Sequence, residues 1–440
     1  MRRMTKLAAV AGVASISLAL AACDGGGGST GATDGGSDGG ADGDDNTLTV
    51  WAWDPAFNIY SLEEAEKVYQ QDHPDFELDI IETPWEDVQT KLTTLAQSQQ
   101  LGELPDIFLM QNNAFQKNMI NYPELFTDIT ASGVAFDEFP ESVVAFSTLD
   151  GANYGVPFDN GTAVTPMRTD ILEEAGYTID DFTDITWDQF ITQGKDVLDK
   201  TGKPLLSGTA GSADLVTMML QSAGGSLFDA EGNPTIVDND ALLAAIDVYT
   251  ELVESGVMVQ VNEWDEYIGT MVNSNVAATI NGVWILGSIQ TAEDQSGLWQ
   301  ITNMPSLDGQ PGATNYSANG GSSWAVSSNA NADLATDFLS STFAGSTEFY
   351  DTILPSSGAI ANWIPAGESD VYAEPQPFFA DQPVFQLVLE YAPQVPAINT
   401  GAYYYEGRDA VAAAITNIMN GADVTTALEE AQATVEFAMQ

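Results

Sequence analysis

The first part of the chain alternates short runs of β-branched or aromatic residues with longer segments that have apolar residues at helical spacing. Three such runs, TLTVWAW (47–53), FELDIIE (76–82) and PDIFLMQ (105–111), predict strands. The segments between them predict helices. One helical face of the first carries four apolar residues: Leu62, Ala65, Val68 and Tyr69. Strands joined through helices need crossover connections, so the pattern predicts an α/β fold with a largely parallel sheet.

A second set of strands and helices follows in the middle and late parts of the chain. The segment 186–202 predicts a helix that begins after Thr186 as its N-cap and ends at Gly202. Further helices are predicted over 241–256, 331–345 and 410–439, the last broken at Gly421, and a short strand over 274–282. About 395 residues follow the N-terminal segment, too many for one ordinary core, so two lobes are predicted.

The first 45 residues have a different pattern. Residues 1–22 combine a basic start, an apolar run and small residues, which is typical of a signal peptide. LAAC (20–23) resembles the lipobox of bacterial lipoproteins, in which the cysteine, here Cys23, becomes the acylated first residue. Residues 23–45 are rich in glycine, serine and aspartate and predict a flexible tether. A secreted protein with a chance cysteine is the alternative interpretation.

Charge restricts the choice of partner. The chain carries 64 acidic and 11 basic side chains, which gives a net charge of −53 at pH 7. A field of that sign repels phosphate backbones, so no nucleic-acid partner is expected. Acidic ligands are also disfavoured, whereas neutral and cationic ligands stay open. The simplest interpretation of the acidity is solubility of an exposed surface, including at high salt.

The inventory of reactive side chains excludes several kinds of enzyme. With one histidine, His73, and one cysteine, Cys23, the chain lacks the residues for a His/Cys zinc site or a Ser–His or Cys–His nucleophile pair. It has no P-loop, and no G-x-G-x-x-G follows a predicted strand. We therefore expect no cofactor and no metal. Carboxylates are abundant, so a glycosidase that uses two acids is not excluded.

Segments along the whole chain after the tether resemble the extracellular solute-binding proteins of bacterial ABC importers. The group concerned is the carbohydrate-binding one that includes maltose-binding protein (solute-binding family 1). The similar segments are TLTVWAW, LPDIFLMQNNAF, YGVPFDNGTAVTPMRTDILEEAG, TWDQF, SAGGSLFD, AATINGVWILGSI, NGGSSWAVSSNANADLATDFLSSTF and NGADVTTALEEAQ. Each is a weak motif alone. Their order, behind a lipobox and a tether, makes the resemblance specific.

The resemblance implies a two-lobed, periplasmic-binding-protein-like fold of type II, with each lobe a mixed, mostly parallel sheet flanked by helices. It implies that lobe 1 comprises residues 46–158 and 319–365, and lobe 2 residues 159–318 and 366–440. The expected protein is a non-catalytic monomer, held by lipid on the extracellular face of a Gram-positive bacterial membrane. It captures a neutral oligosaccharide by closing a hinge and delivers it to the permease subunits of an ABC importer.

The resemblance also implies which residues bind ligand, because a sugar needs flat aromatic rings and fixed hydrogen-bonding groups. Trp284, in NGVW, matches the stacking tryptophan of the family; a core position is the alternative. Trp324 is expected to pack inside its strand instead. The other matching positions are Trp53, Asp54, Gln111, Asn112, Asn113, Asp159, Asn160, Ser212, Asp214, Gly321 and Ser322.

One departure from the family concerns the residues before the helix that leads to the end of the chain. Maltose-binding protein has stacking aromatics there, whereas this chain has Arg408, preceded by a tyrosine run that includes Tyr403 and Tyr405. Either the tyrosines reach the site from a different loop, or Arg408 bonds hydroxyls directly. Two other classes stay open beside a sugar-binding protein: a secreted carbohydrate-active enzyme, and a binding protein for a non-sugar solute such as a polyamine.

Overall fold

The computed structural model describes residues 46–159, 161–398 and 400–440. The predicted leader, Cys23, the tether and Asn160 lie outside the described residues. The strands of the described part are β1 (Thr47–Ala52), β2 (Glu77–Glu82), β3 (Ile107–Gln111), β4 (Thr148–Leu149), β5 (Ala152–Asn153), β6 (Gly155–Asp159), β7 (Ala163–Arg168), β8 (Leu206–Thr209), β9 (Met258–Val261), β10 (Asn281–Gly282), β11 (Trp299–Thr302) and β12 (Ser322–Val326).

Helices connect most of these strands. They are α1 (Tyr60–Tyr69), α2 (Trp85–Ser98), α3 (Asn112–Asn121), α4 (Glu141–Val144), α5 (Thr169–Ala175), α6 (Trp187–Thr201), α7 (Asp214–Ser222), α8 (Asp240–Glu254), α9 (Trp264–Val272), α10 (Ile285–Gln290), α11 (Ala332–Ser341), α12 (Thr347–Ser357), α13 (Val384–Tyr391), α14 (Tyr404–Met419) and α15 (Val424–Ala438). Short 3₁₀ turns and one π-helical turn, Pro55–Ile59, fill several connections. No helix in the described ranges has the length and apolarity needed to cross a bilayer.

The first sheet has five strands in the order β2-β1-β3-β12-β6. The pairs β1–β2 and β1–β3, which are joined through helices, are parallel, as the sequence pattern predicts. Strand β12 is inserted between β3 and β6 and runs antiparallel to both. Its register places Ser322 opposite both Gln111 and Asp159, so the start of β12 meets the ends of two neighbouring strands.

A second set of strands forms the other half of the fold. Strand β7 lies between β10 and β11, antiparallel to both, and β8 pairs with β9 in parallel. The chain passes from the first sheet to this set after β6 and returns before β12. The two crossing segments are hydrogen-bonded side by side: Ala163 N donates to Ser317 O at 2.8 Å, and Asn319 N donates to Gly161 O at 2.7 Å.

Local signals in the sequence set several helix ends. Helix α6 has a capping box, in which Thr186 N donates to Gln189 Oε1 at 3.0 Å, and it ends at Gly202 with φ +71°. The break predicted at Gly421 separates α14 from α15, and its φ of +93° requires a residue that tolerates the left-handed region. The predicted strand at 274–282 shortens to β10, with one further bridge between Ala278 and Met167.

Each half has its own aromatic core. In the five-stranded half, the buried ring of Trp324 lies 5.5 Å from that of Phe158 and 5.2 Å from that of Phe343. This confirms that Trp324 packs within its strand. In the other half, Trp187 and Phe190 of α6 are fully buried with ring centroids 5.4 Å apart. Contacts at these distances add to the free energy of burying each ring.

The carboxylate of Asp106 ties three segments of the first half together. Its Oδ2 accepts hydrogen bonds from Thr49 N at 2.9 Å and Thr49 Oγ1 at 2.8 Å, which joins β1 to the start of β3. Its Oδ1 accepts from Asn331 N at 3.1 Å, just before α11. Removing this carboxylate leaves backbone donors at two element ends without their partner.

We predict that Asp106→Ala lowers the free energy of unfolding by about 1–3 kcal/mol, the usual result of leaving partly buried donors unsatisfied. Urea denaturation followed by circular dichroism measures the change. Asp247→Ala is the matched control, because Asp247 is an exposed carboxylate on α8 and its removal should change stability by at most about 0.5 kcal/mol. Equal midpoints for the two variants would contradict the role given to Asp106.

Candidate ligand-binding site

The polar residues predicted after the strands of the first sheet meet at one edge. Asp159 ends β6, Ser322 begins β12, and Asn112 follows β3. Ser322 Oγ donates to the Asp159 carboxylate, and Ser323 Oγ donates to Asn112 Oδ1 at 2.8 Å. These four side chains are buried, so their hydrogen bonds hold the edge in one arrangement.

Glycine is required at this edge because the backbone approaches other groups closely. Gly321 has φ +83°, and a Cβ there would lie 2.8 Å from Asn112 Nδ2. A Cβ on Gly161 would lie 2.7 Å from the carbonyl carbon of Gly320 in the neighbouring crossing segment. Gly321 therefore contributes a backbone group to this edge, because its carbonyl accepts a hydrogen bond from Asn112 N at 3.0 Å.

A cavity of about 160 Å³ opens at this edge and is lined from both halves of the fold. One part of its lining is polar: Asn112, Asn113, Gln116, Asp159, Gln221 and Asn362. Another part is apolar: Val143, Phe146, Leu220, Leu227, Val395 and Ile398. Tyr404, at the start of α14, lines it too, and burial raises the pKa of its phenol to about 12, so the hydroxyl stays protonated.

A smaller cavity of about 80 Å³ lies in the half built around β7 and β8. Ser212 and Asp214, two of the predicted site residues, line it together with Trp264, Tyr267 and Asn281. Asp214 is the first residue of α7, and its carboxylate lies 3.5 Å from Arg408 Nη1. Of the predicted residues, Asn112, Asn113 and Asp159 thus line the larger cavity and Ser212 and Asp214 the smaller, whereas the other described ones line neither.

An aromatic cluster links the ends of β1 and β3 to the start of α14. The rings of Trp53 and Trp85 are 5.1 Å apart, and the ring of Tyr405 is 6.4 Å from that of Trp85. Tyr405 OH donates to Gln111 Oε1 at 2.8 Å, and the guanidinium of Arg408 lies 5.3 Å from the Tyr405 ring centroid. Trp53, Gln111, Tyr405 and Arg408 are thus brought together as one group.

The tyrosine run before α14 therefore reaches the candidate site, and so does Arg408. Tyr405 bonds Gln111, and Tyr404 lines the larger cavity. Tyr403 instead packs against the hydrophobic core of the second half and lines neither cavity. Arg408 is paired with Asp214, which offsets its charge in the site.

Trp284 lies beside the crossing segments, directly before α10. Its Nε1 donates to Asn319 O at 2.9 Å, and its ring is 5.8 Å from that of Trp264. Trp264 is 47 % exposed, so this pair presents an aromatic surface to solvent. Trp284 is half-buried and lines neither cavity, so its role as a stacking residue stays a prediction.

Asp54 occupies a tight turn at the end of β1. Its backbone N–H and that of Trp53 donate to Asn58 Oδ1 at 3.0 and 3.1 Å, and its Oδ1 accepts from Phe57 N at 3.1 Å. Asp54 is exposed and lines neither cavity. Its hydrogen bonds stabilise the turn that positions the neighbouring Trp53 ring.

Several residues at the site are absent from the sequence prediction. Trp85 comes shortly after β2 and Trp264 shortly after β9, and ligands of open α/β sheets bind beyond the carboxyl ends of strands, so this position is the signal by which both could have been found. Tyr404 belongs to the predicted tyrosine run, but its orientation was not predictable. Asn362 lies in an irregular segment and carries no signal in the sequence.

The arrangement defines a class of protein. Two α/β halves are joined by paired crossing segments, and the larger cavity is lined by residues from both, which is the type II fold of periplasmic binding proteins. The chain belongs to the bacterial extracellular solute-binding protein family, whose model matches residues 64–354. The recognition made from the sequence motifs, and the fold it implied, are thereby confirmed.

Two relatives extend the comparison to nearly the whole chain. The chain is 36 % identical over 383 residues to the lactose-binding protein of Rhizobium radiobacter, which covers 87 % of this chain and 90 % of that protein. It is 25 % identical over 401 residues to the arabinooligosaccharide-binding protein of Halalkalibacterium halodurans, which covers 86 % of each.

Solved structures agree in fold. The GacH receptor of Streptomyces glaucescens, solved unliganded and with acarbose, has a TM-score of 0.72 at 17 % identity, covering 89 % of this chain and 97 % of that one. The galacto-N-biose-/lacto-N-biose I-binding protein of Bifidobacterium longum, in complex with lacto-N-biose, has a TM-score of 0.74 at 20 % identity, covering 89 % and 96 %.

The buried carboxylate of Asp159 makes stability depend on pH. Asp159 is 4 % exposed, and burial raises its pKa from the usual 3.8 to about 6, against the opposing effect of the hydrogen bond from Ser322. Between these two values the folded protein binds more protons at this group than the unfolded chain does. The contribution of Asp159 to stability therefore falls as pH rises through this window and stays lowered above it.

Asp159→Asn keeps the shape of the side chain and an acceptor for Ser322. We predict that the change in the free energy of unfolding caused by this substitution is more stabilising near pH 8 than near pH 4, by on the order of 2–3 kcal/mol. Urea titrations of both proteins at the two pH values measure this difference. Asp247→Asn, on an exposed carboxylate, should show no such pH dependence. A pH-independent effect of Asp159→Asn would mean that the carboxylate is solvated.

Proposed function

We propose that the protein is a lipid-anchored, extracellular sugar-binding protein that captures a neutral oligosaccharide between its two lobes and delivers it to an ABC importer. The observation that carries the proposal is the larger cavity, with a polar part that holds amides and a carboxylate, and an apolar part. Sugars match such a lining because they combine hydroxyl groups with apolar C–H faces. The lactose- and arabinooligosaccharide-binding relatives support the same substrate class.

The charges at the site favour a neutral ligand. Among the described residues that line the larger cavity there is no lysine, arginine or histidine. Arg408 is near but is paired with Asp214. A phosphate or carboxylate on the ligand would face the Asp159 carboxylate without a compensating cation. A polyamine is also disfavoured, because Asp159 is the sole acidic side chain among the described residues lining this cavity.

The same observation argues for binding without catalysis. A glycosidase needs two carboxyl groups facing each other across the scissile bond, about 5–10 Å apart. Among the described lining residues, each cavity has one carboxylate: Asp159 in the larger and Asp214 in the smaller. Asp214 is also paired with Arg408 at 3.5 Å. The relatives are likewise named as binding proteins.

Contacts between the two halves support a hinge mechanism. Lys117 Nζ of α3 lies 2.5 Å from Glu406 Oε1 of α14, and Tyr405 OH of the same helix bonds Gln111 at 2.8 Å. These pairs join residues almost 300 positions apart. We propose that they form when the lobes close and that the two crossing segments, with Gly161 and Gly321, act as the hinge.

The boundaries that we propose for the lobes are those implied by the family: 46–158 with 319–365, and 159–318 with 366–440. The predicted anchor completes the proposal. Acylated Cys23 holds the protein, as a monomer, on the outer face of the membrane of a Gram-positive bacterium, and residues 23–45 act as the tether between this anchor and the globular part that delivers sugar to the permease subunits. A single lipid chain gives marginal membrane affinity, so more than one acyl group is needed at this cysteine.

We predict that a thermal-shift screen of neutral mono- and oligosaccharides finds a sugar that raises Tm without being cleaved, because ligand that binds only the folded state stabilises it. Trp284→Ala should lower the affinity for that sugar by about tenfold or more, since it removes the stacking face. Trp284→Phe keeps a flat ring and should lose less.

The control for this screen is Phe437→Ala, which truncates a 76 % exposed aromatic on α15. Its affinity for the sugar should equal that of the wild type in isothermal calorimetry. No Tm shift with any sugar in the panel would overturn the proposed function. Release of smaller sugars, detected by chromatography, would favour the enzyme instead. A shift with polyamines alone would favour a non-sugar solute.

We also predict that Cys23→Ala moves the protein from the membrane fraction to the medium of the producing cells, because the acylation site is lost. Immunoblots of the two fractions measure the change. Sugar affinity should be unaltered, since Cys23 is the first residue of the tether and is none of the proposed ligand-binding residues. Ser29→Ala, within the tether, is the matched control and should stay with the membrane. Retention of the Cys23→Ala variant on membranes would exclude lipid anchoring at this residue.

A further inference from the structure

Asn362 lies beside the end of β6, at the edge of the first sheet. Ala361, its neighbour, bridges Asp159 in an antiparallel manner, and Asn362 N donates to Phe158 O at 3.3 Å. The side-chain Nδ2 of Asn362 donates to Asp159 O at 2.7 Å. The hydroxyl of Tyr372, itself buried, accepts from Ala361 N at 3.2 Å. The backbone and the amide of Asn362 are thus held against the end of β6.

The other end of the Asn362 side-chain amide is its oxygen, Oδ1. Asn362 is 2 % exposed, and among the described residues no donor lies within hydrogen-bond distance of its Oδ1. The orientation of the amide is fixed, because the reverse orientation would place two oxygens 2.7 Å apart. An acceptor that is buried, immobile and unpaired destabilises a fold by about 1–3 kcal/mol, so its presence calls for an explanation.

The location of this oxygen gives that explanation. Asn362 and Asp159 line the same cavity of about 160 Å³. Both residues carry acceptor oxygens, and no cationic side chain lies among the described residues of the lining. A group that enters this end of the cavity must therefore present hydrogen-bond donors. A methyl, a carboxylate or an ether oxygen in the same place would leave buried acceptors unpaired.

We propose that Asn362 is a ligand-binding residue, whose Oδ1 accepts a hydroxyl of the bound sugar next to the position of Asp159, and that the two residues together select for free hydroxyls at the hinge end of the ligand. This inference rests on the proposed sugar-binding function and assigns a specificity role within it. Because the bonds to Phe158 and Asp159 already fix the amide, the ligand gains an oriented acceptor without ordering a side chain.

The first test compares Asn362→Ala with Asn303→Ala. Asn303 is an equally buried amide, but both of its ends are satisfied by Asp184, with Asp184 N donating to Oδ1 at 3.1 Å and Nδ2 donating to Asp184 Oδ1 at 2.6 Å, and it lines neither cavity. Lactose is the probe, with arabinotriose used if lactose gives no Tm shift. Asn362→Ala should weaken binding about tenfold or more in calorimetry, whereas Asn303→Ala should leave the Kd within about twofold.

The second test separates contact with ligand from a structural effect. The monodeoxy derivatives of the probe sugar are titrated into the wild type and into Asn362→Ala. In the wild type, loss of the hydroxyl that bonds Oδ1 should weaken binding about tenfold. In Asn362→Ala the same deoxygenation should matter less than about threefold, because its partner is already gone. Equal losses in the two proteins would overturn the proposal.

A crystal structure of the wild type with the probe sugar keeps the test decisive even if Asn362→Ala does not fold. The proposal requires a sugar hydroxyl oxygen within about 2.5–3.2 Å of Asn362 Oδ1. A bound sugar that leaves only water at this atom would overturn the inference while preserving the sugar-binding function. Should neither sugar bind, the sugar found in the thermal-shift panel becomes the probe, and failure of the wild type to bind any sugar of that panel at millimolar concentration would remove both.

Discussion

The insertion of β12 between β3 and β6 is the constraint on which the candidate site depends. The backbone pairing sets Ser322 opposite both Gln111 and Asp159, so the start of one strand and the ends of two others coincide. A slip by one residue would turn every side chain of β12 to the other face and force the Trp324 ring into the space that the smaller Ala325 fills. The buried aromatic core thus fixes the register, and the register fixes the polar edge. Gly321 meets the remaining requirement, since a side chain there would collide with Asn112.

The sequence predicted this edge but not its full composition. Strands were recognisable from their residues, and the positions beyond their ends could be inspected without knowing the partner strands. The family resemblance indicated Gln111, Asn112 and Asp159 as ligand-binding positions. The pattern could not reveal that β12 runs antiparallel, because apolar spacing identifies a strand and not its neighbour. It therefore predicted a more parallel sheet than the pairing has.

Two of the missed residues, Asn362 and Tyr404, share a physical reason. Asn362 belongs to a segment without periodicity, and its significance comes from one atom that is bonded and another that is not. Tyr404 and Tyr405 are adjacent, yet one lines the cavity and the other bonds Gln111. Such differences follow from where a helix begins relative to a distant loop. The helix propensity of a short segment contains no information on the distance between the start of the helix and such a loop.

The pairs that join α14 to the first half have a consequence for affinity. If the lobes open and close as proposed, Lys117–Glu406 and Tyr405–Gln111 exist only in the closed population. Apparent affinity is the intrinsic affinity scaled by the fraction of molecules able to bind, so these contacts influence it without touching ligand. Lys117 is also a rare cation in a chain of net charge −53. The ionic strength of the habitat would then tune how readily the empty receptor samples its closed state.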